Sequence, residues 1–154
     1  MSGRYFENFS LGEVIESSEE YEITPARLAA YAAEYDPQPI HLDPSAAAAE
    51  MFGGIVASGW HSLSVTMRLM VRSQLFADGP IVGVGIDRLR FLQPVRTGDR
   101  LRVRAEVLEV RPSSSRADRG YLLLRVTTLR QNDVPVLTQD WTLLVPRRGE
   151  TNAP

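Results

Sequence analysis

The chain has no cysteine, and none of its 17 basic residues is a lysine; every one is arginine. Without cysteine there is no disulfide framework, thiolate metal site, iron–sulfur cluster or thiol nucleophile. Without lysine there is no Schiff base, no P-loop lysine and no catalytic amine. Histidine is scarce, at His41 and His61 only. No apolar run approaches the roughly 18 residues of a membrane span. Glu7 and Glu13 break the region where an export signal would need an apolar core. A cytoplasmic protein without membrane association is expected, and the glycosylation-like triplet Asn8-Phe9-Ser10 reads as a chance match. A net charge of −2 lacks the basic footprint of a nucleic-acid binder.

What remains is one compact domain: 154 residues, 44% hydrophobic and 23% charged. Charge is uneven, however. Residues 1–50 sum to −8 and residues 51–154 to +6. Either the two segments pair with each other or the basic one holds an anionic small molecule.

Val14 to Ile23 alternates as a strand. Thr24-Pro25 then marks a helix start, a capping hydroxyl followed by proline at the first helical position. Leu28, Tyr31, Ala32 and Tyr35 follow as one apolar stripe. Pro37 and Pro39 end that helix at Asp36 and predict a stiff, extended loop to His41. Asp43-Pro44 predicts a short helix over 46–50. After Gly53-Gly54 a long helix is expected from Ser58 to Phe76, mostly buried. Trp60, Leu63, Met67, Met70, Val71 and Leu75 make its apolar arc, Val65 and Leu69 extend it nearly around the helix, and His61, Ser64, Arg68 and Arg72 form its polar stripe. Asp78-Gly79-Pro80 closes it. Four antiparallel strands are then expected at 81–92, 100–110, 121–130 and 136–145. The tail 147–154 reads as disordered. The layout is α+β, a curved antiparallel sheet wrapped around a long central helix. Its open edges predict a homodimer or higher homo-oligomer.

The chemistry-bearing residues fall in two places. Asp36 and His41, five apart across two prolines, can share one water, the arrangement general acid–base catalysis needs. Gly53 to Gly59 opens the long helix, where free N–H groups and the positive dipole end favour a negative oxygen. Gly59 lets a ligand carbonyl approach the backbone and Ser58 caps the helix. Several motifs carry nothing: Gly83-Val84-Gly85 lacks the third glycine and following helix of a dinucleotide fingerprint, and no histidine accompanies the serine run 113–115. With two histidines and no cysteine, no transition-metal site is expected.

Asp36-Pro37-Gln38-Pro39-Ile40-His41-Leu42-Asp43-Pro44 resembles the hydratase motif of MaoC-like dehydratases and (R)-specific enoyl-CoA hydratases. Gly54-Ile55-Val56-Ala57-Ser58-Gly59 falls where that family begins its central helix. Phe91-Leu92-Gln93-Pro94-Val95-Arg96-Thr97-Gly98-Asp99 is similar to a stretch common among hot-dog-fold proteins. The resemblance spans roughly residues 5–146 and implies a single hot-dog domain over 1–146. It implies reversible hydration of a 2-enoyl thioester, with water held by Asp36 and His41 and the thioester carbonyl by the Gly59 N–H. Which of the two takes the first proton stays open. Ser58, Gly54, Met67, Met70 and Gly83 are the expected substrate contacts, the two methionines suggesting a short or branched acyl group. Arg88, Arg90, Arg102 and Arg104 are candidates for phosphates of the carrier. CoA or an acyl-carrier thioester enters as substrate, and no cofactor is expected. A hot-dog acyl-CoA thioesterase and a non-catalytic acyl-thioester-binding or assembly subunit are the alternatives. The family usually has Gly before the Asp and Asn before the second proline, where this chain has Tyr35 and Gln38. Many relatives have His where Ser58 stands. These departures touch substrate preference and leave the proton-transfer groups intact.

Overall fold

The computed structural model describes residues 4–73 and 81–149. Two short strands, β1 (Val14–Glu16) and β2 (Tyr21–Glu22), precede helices α1 (Pro25–Tyr35), α2 (Pro39–Leu42), α3 (Ala47–Phe52) and α4 (Gly59–Arg72). Four long strands follow: β3 (Val82–Phe91), β4 (Arg100–Pro112), β5 (Arg119–Arg130) and β6 (Val134–Pro146). The sheet is antiparallel with the order β1-β4-β5-β6-β3, and β2 also pairs with β4. The single strand expected over 14–23 is therefore two pieces on one edge. The four long strands lie within two residues of expectation, yet β3 pairs with β6 at the far edge rather than with its successor β4.

The sheet buries one face against α4. Leu101, Val103, Ala105 and Val107 of β4, Leu122, Leu124 and Val126 of β5, and Leu137 and Val145 of β6 are completely or almost completely buried. Alternation along each strand puts these side chains on one side, which fixes the register. From α4 come Val65, Leu69 and Met70, with Ser62 and Thr66. Thr66 Oγ1 donates to Ser62 O at 2.7 Å, so the Thr128 hydroxyl, 2.6 Å away, is left to donate to Thr66. Both hydroxyls are thus satisfied in a fully buried interface.

The buried face of α4 differs from the expected arc. His61 is only 4% exposed, while Trp60, Met67 and Val71 are 64, 48 and 67% exposed. A helix apolar nearly all round has no unique face by periodicity. Ser62 and Thr66 lie on the buried side, and the Thr66–Thr128 hydroxyl contact ties that side to β5. Leu75, Phe76 and the turn at 78–80 lie outside the described residues.

In α1, Thr24 Oγ1 accepts from Arg27 N at 3.2 Å and Pro25 follows as the first helical residue. Leu28 and Ala32 are buried, but Tyr35 is exposed. The stretch to His41 is not extended throughout. Gln38 is (φ −72°, ψ 141°) but Asp36 is not (φ −150°, ψ 69°), and Pro39 then starts the one-turn helix α2 that carries His41, because proline is as suited to a first helical position as it is to ending a helix. The next helix begins at Ala47, later than the proline-start logic predicts. Asp43 Oδ1 accepts from Ser45 N and Ser45 Oγ, closing a turn first.

The acidic N-terminal third pairs with the basic remainder through Glu7–Arg147, Glu16–Arg102, Glu16–Arg104 and Glu19–Arg72. Arg147 and Arg148 both bond Glu7, and residues 150–154 of the expected tail lie outside the described residues. Gly120, opposite Pro112 in the β4–β5 pair, has no room for a side chain: a Cβ would overlap the buried Phe6 ring. Gly120→Ala is expected to cost about 1–3 kcal/mol of overpacking, read as a lower urea midpoint than wild type.

Candidate active site

Asp36 stands at the C-terminal end of α1, its N–H bonding Ala32 O at 2.9 Å. His41 is buried in α2, where its Nδ1 lies 2.7 Å from the Val56 carbonyl. A carbonyl has no hydrogen to give, so Nδ1 carries the proton. Nε2 is then the nitrogen facing Asp36, 3.2 Å from Oδ2.

Both Asp36 oxygens are engaged. Gln38 Nε2 donates to Oδ1 at 2.7 Å and Ser58 Oγ to Oδ2 at 2.6 Å. Ser58 also caps α4, its Oγ accepting from Trp60 N at 3.3 Å. One hydroxyl thereby ties the carboxylate to the N-terminus of the central helix. The Ser58 and Gln38 hydrogen bonds hold the Asp36 carboxyl below its ordinary range, outweighing the opposing effect of burial. Its ionised form adds stability that is fully present above the unfolded carboxylate range. That contribution is lost as pH falls through the lowered folded value.

A cleft of about 400 Å³ opens on this pair, lined among others by Asp36, His41, Gly59, Trp60, Ser62 and Phe91. Gly59 is the first residue of α4. A Cβ there would come within 2.6 Å of Phe91 Cε1, so the ring packs directly on the glycine. Asp36, His41 and Gly59 thus share one cleft, with the Ser58 hydroxyl turned onto the carboxylate.

The other expected substrate contacts fall elsewhere. Met67 and Gly83 line a separate cleft of about 290 Å³ with Val84, Gly85, Ile86 and Trp141, between α4 and the β3 edge. Met70 is 2% exposed in the core. Gly54 has φ +142°, a glycine conformation, and no atom lies within 4 Å of where its Cβ would be. Among the arginine candidates, Arg102 and Arg104 pair with Glu16. Sequence reasoning did not find the Val56 carbonyl, the Gln38 contact, Ser62 or Phe91. Gln38, Val56 and Phe91 stood in quoted motifs, but the motifs do not say that the Gln38 amide turns back onto Asp36, that the Val56 carbonyl meets an imidazole 15 residues away, or which face of α4 Ser62 takes. Among the described residues, no group of three His, Asp or Glu side chains could hold a metal, and no helix is long and apolar enough to cross a membrane.

A curved antiparallel sheet around a central helix, with an Asp/His cleft at the helix N-terminus, is the hot-dog fold of the MaoC-like dehydratases. The MaoC like domain family model matches residues 6–122, and the chain belongs to that family. The crystal structure of the MaoC-like dehydratase from Rhodospirillum rubrum superposes with a TM-score of 0.88 at 40% identity, covering 96% of this chain and 99% of that one. An uncharacterized protein of Bacillus subtilis, YdeM, is 28% identical over 141 residues, 92% of this chain and 98% of the relative. The 3-hydroxyacyl-thioester dehydratase Z of Mycobacterium tuberculosis is 32% identical over 103 residues, 64% of this chain and 67% of its own. Family and relatives together support a hydratase type of chemistry.

Proposed function

We propose that this chain adds water reversibly across C2=C3 of a 2-enoyl thioester, forming the 3-hydroxyacyl thioester. The observation that carries the reading is the 3.2 Å approach of His41 Nε2 to Asp36 Oδ2, with Nδ1 committed to a carbonyl. A bare Nε2 and a carboxylate repel unless hydrogen lies between them. A water seated beside both supplies one hydrogen to each.

Nε2 is the better base of the two. Asp36 already accepts two strong hydrogen bonds and is held in its ionised form. In hydration, the water oxygen bonds to C3 as one of its protons moves to Nε2. The resulting imidazolium faces the Asp36 carboxylate, a charge-assisted contact. Nε2–H then returns the proton to C2, on the face from which the oxygen came. Negative charge builds on the thioester oxygen in between, and the Gly59 N–H at the positive end of α4 is the donor aimed at it. In the reverse direction the same groups remove water.

The test is incubation with crotonyl-CoA. Loss of enoyl absorbance without release of free thiol is the expected result. Free thiol would instead mark a thioesterase, and an inert protein on a short-chain enoyl panel would refute the reading.

The assembly belongs to the same proposal. Among the described residues β3 is an edge strand, with Val82, Val84 and Ile86 49, 54 and 54% exposed and Met67 of α4 beside it. An unpaired apolar edge of this kind invites a second copy that continues the sheet. Wild type is expected to sediment as a dimer or larger homo-oligomer at micromolar concentration, and Ile86→Glu as a monomer or an at least tenfold weaker dimer. A monomeric wild type, or an unaffected variant, would remove the proposal.

A further inference from the structure

Ser62 is not used by the chemistry above. It lies one turn beyond Gly59 on α4, lines the cleft, and is 3% exposed. Its backbone N–H bonds Ser58 O, while its carbonyl accepts from Thr66 Oγ1. Its own hydroxyl has no hydrogen-bond partner among the described residues, whereas the neighbouring helix hydroxyls of Ser58, Ser64 and Thr66 are all engaged. Apart from Asp36, His41, Gln38 and Gln93, the cleft lining is mostly apolar, with Val56, Trp60, Phe91, Leu92 and Val136.

We infer that the Ser62 hydroxyl is a specificity contact for a neutral oxygen carried on the acyl chain beyond the reacting double bond. This rests on the thioester reading above. In that reading the acyl chain runs along α4 from a thioester carbonyl at the Gly59 N–H, and three residues of helix, about 4.5 Å of rise, then bring Ser62 beyond C3. A hydroxyl or keto oxygen there exchanges its water contact for a protein one. An alkyl chain leaves the serine without a partner inside an apolar wall. The oxygen is neutral rather than a carboxylate, because Asp36 shares the cleft and no arginine among the described residues lines it. The inferred substrate class is therefore a short enoyl thioester with a hydroxyl or keto group near C4.

Calorimetric binding of butyryl-CoA and 4-hydroxybutyryl-CoA, which have no double bond to hydrate, to wild type and Ser62→Ala tests this directly. Wild type is expected to bind the hydroxylated ligand roughly tenfold tighter, with the ratio falling to about one in the variant. Equal binding by wild type, or a ratio unchanged in Ser62→Ala, overturns the inference while leaving the thioester site standing. If neither ligand binds, the thioester reading fails and the inference falls with it.

Discussion

Asp36→Asn and His41→Ala each lower kcat for crotonyl-CoA hydration by about 10²–10⁴-fold, the range for removing a positioned acid or base, and both variants remain folded. His41→Ala deletes the nitrogen that takes the water's proton. Asp36→Asn keeps the shape, and with its amide oxygen at the Oδ1 position the Gln38 contact re-forms while its NH2 stands where Oδ2 met Ser58 and His41. The amide loses the negative charge that stabilises the imidazolium, and its N–H group can occupy the Nε2 lone pair. Because the two groups act on one water, their losses are not independent. The double variant is expected to be little worse than the poorer single variant. Enoyl absorbance gives the rates and circular dichroism the folded state. Losses that multiply in the double variant would show that the groups act on separate steps, and undiminished activity in either single variant would sink the mechanism.

The parts of this site that were legible in the sequence are the local ones. Asp36 and His41 lie five residues apart between prolines, and Ser58-Gly59 starts a helix, so their placement depends on a few backbone turns. Even there, Pro39 was read as stiffening a loop when it also begins the helix that presents His41. What was not legible is contact across distance. Nothing within Asp36 to His41 says that Ser58 will donate to the carboxylate or that the Val56 carbonyl will fix the imidazole. Met67 and Met70 were read together as same-face neighbours, and the roughly 60° between residues three apart on a helix spans the rim of the buried face of α4. One reaches the edge of the sheet and the other the core. The same limit applies to β3, whose alternation is ordinary but whose place at the far edge is set by pairing with β6.

Gly59→Pro is expected to lower kcat by about 10²–10³-fold relative to Gly59→Ala, the cost of one oxyanion donor. Proline is suited to this position. Gly59 is the first residue of α4, where proline is favoured, and Pro25 stands at the same place in α1. Ser58 has φ −57° and ψ 139°, the extended conformation a residue before proline requires. The substitution therefore removes one N–H and leaves the helix intact. Both variants introduce the same Cβ against Phe91, and that ring, 57% exposed, has room to swing away. Alanine thus controls for the displaced ring while keeping the donor. The loss belongs in kcat more than in KM, since the thioester oxygen is most negative in the transition state. Equal kcat for the two variants would mean that the Gly59 N–H does not meet the developing charge. The dipole end of α4 would then act, if at all, through another donor.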